Sequence, residues 1–301
     1  MKTIRNVVVG IAEAAADPQL EYAVQLASSL GAALHVVHAY HLPDPVLYPY
    51  VELSAYGAEA IEDIHRRVQG LLEAQVRRLS PEAAGTSGAV TCRAVPAPPA
   101  MAVLNVASEV EADLIIVGGT RHGAVARALL GTTAQRVLRG ATAPVLVHRS
   151  LGIALRRVLL TTDLSELSAR VHGRGVELAA LLSDTAEPEL RTLLVVGYDI
   201  PLIAPIEPRG FTAAGRQRLD AFLDDVGGAR RPAARVRVGD PAREIPAEAA
   251  EWEAELLVLG THGRTGASRL LIGSVAESVL RSARCDILVI PAAAVARPAH
   301  V

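Results

Sequence analysis

The sequence has few cysteines, few aromatic residues and no long hydrophobic segment. Cys92 and Cys285 are the only cysteines among 301 residues, and they form no C-x-x-C pair. A disulfide framework and a thiolate zinc site are therefore excluded. No apolar run approaches the roughly 18–20 residues of a membrane span. We therefore expect a cytoplasmic protein that does not enter membranes.

The charges give no sign of a polyanionic partner. Lysine and arginine total 30, aspartate and glutamate total 32, and the formal net charge is −2. Without a basic excess, neither nucleic acid nor an anionic membrane is expected as a partner. Half of the residues are hydrophobic but only 3% are aromatic, so the cores must be aliphatic. At roughly 100–200 residues per domain, the length favours two domains.

An internal repeat supports this division. Residues 117–147 align without a gap to residues 259–289, which places Gly118 on Gly260 and Gly131 on Gly273. Residues 6–12 align in the same way to residues 157–163. Such self-similarity indicates two copies of one structural unit. The sequence thus predicts domains at 1–150 and 151–301.

Short apolar runs alternate with helical patterns in both halves. The predicted strands of the first half are Val7–Ile11, Leu34–Ala39, Val90–Val95, Leu114–Val117 and Val145–His148, and those of the second half are Val158–Thr162, Leu193–Val196, Val236–Val238, Leu256–Leu259 and Ile287–Ile290. Alternation of strands and helices is typical of parallel sheets with right-handed crossovers. The predicted fold is α/β, with two tandem doubly wound five-stranded parallel sheets and helices on both faces. Asp17-Pro18 predicts the start of the first helix, and Gly31 its end.

Two segments of the second half follow predicted strands and could contact a ligand. Thr161-Thr162-Asp163 follows the first strand, and Gly260-Thr261-His262-Gly263 follows the fourth. Gly273-Ser274 opens the last helix, where free amides and the helix dipole favour phosphate. Asp163 could accept hydrogen bonds from a ribose or an adenine. The alternatives are ordinary turns, with Asp163 and Ser274 acting only as helix caps.

The glycine spacing carries a resemblance to a known family. Gly260, Gly263, Gly273 and Ser274 form G-x2-G-x9-G-S, which resembles the phosphate loop of the ATP-binding branch of the universal stress protein family. The segment LGTHGRTGASRLLIGSVAESVLRSARCDILVI is similar to that family's C-terminal block nearly residue for residue. The resemblance covers the whole chain as two copies. It implies an adenine-nucleotide α-hydrolase-like fold, ATP or AMP binding, a role in stress survival and frequent dimerisation.

The resemblance also implies an adenosine site in the second half. Asp163 would contact the adenosine, with the backbone near Thr161 and Gly197 flanking the base. Leu259 and Gly260 would border the ribose.

The phosphates would lie at the glycine loop. Gly263, Gly273, Ser274 and the amide of Val275 would hold them. Arg269 would neutralise charge there, or is only a solvated arginine.

The first half departs from the family pattern. Ala12 stands where Asp163 stands, and Arg121 stands where Gly263 stands. Ala12 cannot accept a hydrogen bond, and a side chain at position 121 hinders close approach of the backbone. We interpret this half as a degenerate copy that serves as scaffold and in dimerisation. The alternative is that Arg121 itself binds an anion.

We therefore expect a tandem universal stress protein that binds ATP in its second half and acts as a stress-response regulator or protective factor. ADP or AMP could replace ATP, and Mg²⁺ could accompany the nucleotide. A homodimer and an unidentified protein partner are also expected. No general base or carboxylate pair stands out, so fast hydrolysis is not expected and slow hydrolysis stays open. Two alternatives are an interaction module without nucleotide and an adenylating enzyme, although Thr161–Ser165 lacks the serine- and glycine-rich loop that such an enzyme needs.

His35, His38 and His41 do not suggest a metal site. They lie three residues apart in a predicted strand and the following loop. Since alternate residues of a strand share a face, this spacing does not bring three imidazoles together. No metal site is expected.

Overall fold

A computed structural model describes the chain over residues 3–14, 17–40, 58–79, 89–119, 130–149, 155–183, 185, 187–197, 208–227, 230–261 and 272–296. The chain packs as two compact units. The first is Ile4–Gly118, and the second is Gly119–Val301 together with Met1–Thr3. Each unit contains both strands and helices.

The first unit contains four strands and three helices in its described residues. In chain order they are β1 (Asn6–Ile11), α1 (Pro18–Leu30), β2 (Ala33–Ala39), α2 (Ala58–Leu79), β3 (Val90–Val95), α3 (Pro99–Glu109) and β4 (Leu114–Gly118). The strands lie in the order β3-β2-β1-β4, and all are parallel. Helices α1 and α3 pack on β1 and β2. The central strands β1 and β4 consist mainly of buried valine, leucine and isoleucine side chains, as expected for a parallel sheet.

Helix α1 confirms the start and end predicted from the sequence. The Asp17 carboxylate accepts a hydrogen bond from the amide of Gln19 at 2.9 Å, and Pro18 is the first helical residue. Gly31 ends the helix with φ of 62°, a left-handed conformation that favours glycine.

The second unit contains six strands in its described residues. Its elements are α4 (Thr132–Gly140), β5 (Val145–His148), β6 (Arg157–Thr162), α5 (Glu166–Leu182), β7 (Glu189–Val196), α6 (Pro208–Val226), β8 (Ala233–Val238), α7 (Pro241–Glu251), β9 (Leu256–Gly260), α8 (Ser274–Ser282), β10 (Asp286–Ile290) and α9 (Ala292–Ala296). The strands lie in the order β5-β10-β9-β6-β7-β8. Strands β6 to β10 are parallel, whereas β5 runs antiparallel to β10.

The α/β fold class is confirmed, but the expectation of entirely parallel strands fails at β5. Leu146 of β5 lies opposite Leu288 of β10, and both side chains are fully buried. Without β5, strand β10 would present an unpaired apolar edge, which proteins avoid. Because β5 pairs with β10, the packing divides the chain at residue 118, whereas the sequence repeat suggests a division near residue 150.

Among the described residues, no helix is long and apolar enough to span a membrane.

Candidate functional site

The candidate site lies where β6 and β9 of the second unit end. These strands are parallel neighbours, with Leu160 opposite Val258. From β6 the chain continues to β7 and β8 on one side, and β9 lies on the other side. Ligands of doubly wound sheets bind beyond the carboxyl ends of the strands at such a switch point. The buried Leu259 and the strand-ending Gly260 of β9 therefore lie at the predicted edge, as does Asp163 after β6.

Thr161 and Gly197 also lie at this edge of the sheet. The hydroxyl of Thr161 donates to the carbonyl of Val258 at 3.0 Å, which ties the end of β6 to β9. Gly197 follows β7 directly and is exposed. A Cβ atom added to Gly197 would meet the carbonyl of Gly239 only at 3.9 Å, an ordinary contact. The strand register thus brings three predicted adenosine contacts, Thr161, Asp163 and Leu259, to neighbouring strand ends.

Asp163 has one satisfied and one unsatisfied carboxylate oxygen. Its Oδ1 accepts hydrogen bonds from the Ser165 amide at 3.0 Å and the Ser165 hydroxyl at 2.6 Å. Its Oδ2 is buried and has no hydrogen-bond partner within the described part of the chain. A buried polar atom without a partner costs about 1–3 kcal/mol. This oxygen is therefore suited to accept a hydrogen bond from a ligand.

A network of hydroxyl groups shapes the turn around Asp163, and the sequence analysis missed it. The Thr162 hydroxyl bonds the Ser168 hydroxyl at 2.9 Å and accepts from the amide of Leu164 at 3.0 Å. Leu164 has φ of 64°, a left-handed conformation that is uncommon for a leucine. Ser165 is the cap of α5, since its hydroxyl accepts from the Ser168 amide at 3.2 Å. The alternative that Asp163 caps this helix is therefore wrong. The pattern S-x-x-S after β6 could have indicated this network, because serine side chains often bond nearby backbone groups.

The start of α8 is joined directly to the end of β9. The Gly273 amide donates to the carbonyl of Thr261 at 2.9 Å. Gly273 is the cap residue of α8, with φ of −58° and ψ of 147°, and no side-chain hydrogen bond caps the helix. Ser274 is the first helical residue, so the alternative that it acts as the cap is wrong. Ser274 and Val275 are both exposed, and the amides of a helix's first turn have no partner within the helix.

The carboxyl end of α8 is held by residues that sequence reasoning did not identify. The guanidinium of Arg149 donates to the carbonyls of Leu280 and Ala283. Burial lowers the pKa of Arg149. The Arg149 amide and the His148 ring bond the two carboxylate oxygens of the buried Asp286, at 2.7 and 2.8 Å. Arg149, directly after β5, thus fixes one end of the helix whose other end lies at the candidate site.

Several predicted residues lie outside the described part of the chain. They include Gly263 and Arg269 of the glycine loop, and also Arg121 and His41 of the first half. Among the described residues, no group of three or more histidine, cysteine, aspartate or glutamate side chains is arranged to hold a metal ion.

Comparison with known proteins identifies the family. The profile of the universal stress protein family matches the chain twice, over residues 3–149 and 154–291. The chain belongs to the universal stress protein family. The two matches make it a tandem member.

Individual relatives agree with this assignment. A universal stress protein of Mycolicibacterium smegmatis is 29% identical over 305 residues, covering 95% of this chain and 96% of that protein. A universal stress protein of Mycobacterium tuberculosis is 32% identical over 196 residues, and the match covers 60% of this chain. The match spans 62% of that relative's own length. A crystal structure of a putative universal stress protein from Pseudomonas aeruginosa has a TM-score of 0.67 at 21% identity, covering 96% of this chain and 93% of that one, and it supports the fold.

Proposed function

We propose that the second unit binds an adenine nucleotide, with ATP as the first candidate and ADP or AMP as alternatives. In this proposal the protein acts as a stress-response regulator or protective factor, and its state depends on the bound nucleotide. The observation that carries the proposal is the buried Oδ2 of Asp163, which lacks a partner in the described residues and lies at the switch point of the sheet. Membership of the family supports an adenine nucleotide as the class of ligand.

The residues at this edge fit the two ends of a nucleotide. Asp163 Oδ2 would accept a hydrogen bond from a ribose hydroxyl, beside Thr161 and Leu259. The amides of Ser274 and Val275 would donate to phosphate oxygens, because the start of α8 lacks a side-chain cap and carries the positive end of the helix dipole. Bound Mg²⁺ would neutralise part of the phosphate charge. Gly263 and Arg269 are proposed as further phosphate contacts from the sequence alone.

The first test is isothermal calorimetry with ATP on the intact chain and on Asp163→Ala. We expect ATP binding that weakens roughly 10- to 100-fold in the variant, because a hydrogen bond to a charged group contributes about 1.5–3 kcal/mol. The control is Glu166→Gln, which removes a nearby negative charge from an exposed side chain that pairs with Arg170. An Asp163→Ala variant that binds ATP as tightly as the unchanged chain contradicts the assignment. A titration without heat would favour the interaction module.

A second test removes a backbone donor without disturbing the helix. Proline is well tolerated at the first position of a helix, and the φ and ψ of Gly273 suit a residue before proline. Ser274→Pro should therefore leave α8 intact while deleting the amide and hydroxyl donors of this residue, and ATP should bind roughly tenfold more weakly. Thr132→Pro is the matched control, since Gly131 caps α4 with the same φ and ψ. Equal losses in both variants would count against a phosphate site at α8.

The proposal extends to a cytoplasmic homodimer that also contacts another protein. The chain mass of 31.6 kDa makes the dimer easy to recognise by light scattering.

A further inference from the structure

In the first unit, the crevice that corresponds to the candidate site lies between the carboxyl ends of β1 and β4. These strands are parallel neighbours, with Gly10 opposite Val117. From β1 the chain continues to β2 and β3, while β4 lies on the other side of β1. This is the switch point of the first unit, and by the general rule for such sheets it is where a ligand would enter.

The side chain of Gln19 fills the space between these two strand ends. Gln19 is the second residue of α1 and is only 5% exposed. Its Nε2 donates to the carbonyl of Gly10 at 3.1 Å. Its Oε1 lies against Gly118, so that a Cβ atom added to this glycine would overlap the oxygen, while Cδ would lie 3.6 Å away. The amide therefore spans the crevice from β1 to β4.

The carboxylate in this region, that of Asp17, bonds backbone amides and thereby holds Gln19 in place. One oxygen of Asp17 accepts from the amide of Gln19 at 2.9 Å, and the other accepts from the amide of Ala12 at 2.9 Å. Both oxygens are thus satisfied, in contrast to Asp163 of the second unit. Ala12 itself stands at the position of Asp163 in the repeat and has no side-chain acceptor. Among the described residues of the first unit there is therefore neither an empty crevice between β1 and β4 nor a carboxylate available there to a ribose.

We propose that Gln19 determines which half of the chain binds nucleotide. Its side chain occupies the crevice of the first unit, so that each chain takes one adenine nucleotide, in the second unit. The inference that each chain binds one nucleotide rests on the function proposed for the second unit. The inference that the first crevice is occupied rests on the contacts of Gln19. Glycines at positions 10 and 118 let the amide approach both strand ends closely.

The test is photoaffinity labelling with 8-azido-ATP, mapped by proteolysis and mass spectrometry. The double variant Gln19→Ala/Ala12→Asp empties the crevice and supplies the missing acid. Labelling of peptides from Ile4–Gly118 should rise at least tenfold over the unchanged chain. The matched control is Gln19→Leu/Ala12→Asp, which carries the same new acid but keeps the crevice filled, and its first unit should stay unlabelled.

The outcomes separate this proposal from the function of the second unit. Labelling of the first unit in the unchanged chain overturns the role of Gln19, and so does a folded Gln19→Ala/Ala12→Asp variant that gains no label there. Should the double variant not fold by circular dichroism, Gln19→Ser/Ala12→Asp makes the same comparison with a smaller void. A chain labelled in neither unit, with label gained in the double variant, would refute the nucleotide site of the second unit while supporting the role of Gln19.

Discussion

The amino ends of the strands are built alike in the two units. In the first unit, Asp113 accepts hydrogen bonds at 2.8 and 3.1 Å from the amides of residues 5 and 6, where β1 begins. In the second unit, Glu255 accepts at 2.5 and 2.8 Å from the amides of residues 156 and 157, where β6 begins. The residue two positions before each acid has nearly the same left-handed φ, 50° at Glu111 and 51° at Glu253. The repeat is therefore preserved in backbone geometry as well as in sequence.

The carboxyl ends of the strands differ. The first unit fills its crevice with Gln19, whereas the second unit leaves an acceptor of Asp163 unsatisfied. Since doubly wound sheets bind ligands at the carboxyl ends, contacts at the amino ends act mainly on stability. The two units have therefore kept this contact at the amino ends of the strands and differ at the carboxyl ends, where a ligand would lie. Each prediction below tests one side of this comparison.

The largest loss of stability is expected at the buried pair of β5 and β10. Asp286 is fully buried and His148 is 2% exposed, and they bond at 2.8 Å. The repeat places an isoleucine, Ile290, at the position of His148, so this pair has no counterpart. Asp286→Ala should lower the free energy of unfolding by about 3–5 kcal/mol, because the buried His148 ring and the Arg149 amide lose the carboxylate that they bond. Urea denaturation followed by circular dichroism measures this.

A surface ion pair of α8 provides the control for that experiment. Glu277 pairs with Arg281 at 3.6 Å, and both side chains are substantially exposed. Exposed pairs contribute about 0–1 kcal/mol, so Glu277→Gln should change stability little. Equal effects of Glu277→Gln and Asp286→Ala would contradict a special role for the β5–β10 contact.

The cores of the two units also differ at one helix–strand contact. In the second unit, His172 of α5 is buried and its Nε2 bonds the hydroxyl of Thr192 on β7 at 2.8 Å. Counted from the helix caps and along the strand pairing, the equivalent residues of the first unit are Val24 and Val36, both buried. Burial lowers the pKa of His172 to about 4 from its ordinary value of 6.5. The second unit thus contains a titratable group where the first has only valines.

This difference predicts a contribution of His172 to the pH dependence of stability, which Val24 and Val36 cannot make in the first unit. Below pH 6.5 the unfolded chain gains a proton at His172 while the folded chain does not, so stability falls as the pH drops from 6.5 towards 4. The full loss is about 3 kcal/mol, from about 1.4 kcal/mol per pKa unit. In His172→Val/Thr192→Val, which copies the first unit, the difference in unfolding free energy between pH 7.5 and 5.0 should shrink by about 2 kcal/mol.

A single substitution tests whether burial of the histidine is sufficient for this pH dependence. Thr192→Val removes the hydroxyl but leaves the imidazole buried, and it should therefore keep the pH dependence of the unchanged chain. Loss of that dependence in Thr192→Val would mean that the hydrogen bond to Thr192, and not burial alone, lowers the pKa of His172.

The strands were predictable because most of them contain short runs of apolar residues. Val90–Val95 and Val145–His148 have the predicted bounds, and the other strands agree within a few residues at either end. Helix α1 was predictable because Asp17-Pro18 and Gly31 act through local backbone geometry. Local chemistry of this kind can be read directly from the sequence.

Contacts between distant segments could not be predicted in this way. The antiparallel pairing of Val147 with Ile287 joins strands far apart in sequence, and periodicity has no information on which edges meet. A glutamine near a helix start also reads as a solvated residue, and only the packing reveals that Gln19 is buried across two strand ends. The family resemblance identified the acid at Asp163, but which of its oxygens remains unsatisfied is a property of the folded turn.

The smallest effects are expected at the amino ends, where the comparison predicts equality. Asp113→Asn and Glu255→Gln each replace a carboxylate that accepts two backbone amides by a weaker neutral acceptor. Each should lower the free energy of unfolding by about 1–2 kcal/mol, because hydrogen bonds to charged groups are stronger than neutral ones. Neither should change ATP binding, since Glu255 lies at the amino ends of the strands, away from the candidate site, and Asp113 belongs to the other unit. If urea denaturation shows a loss in only one variant, the contact between the acid and the two amides has the same geometry in both units but stabilises only one of them.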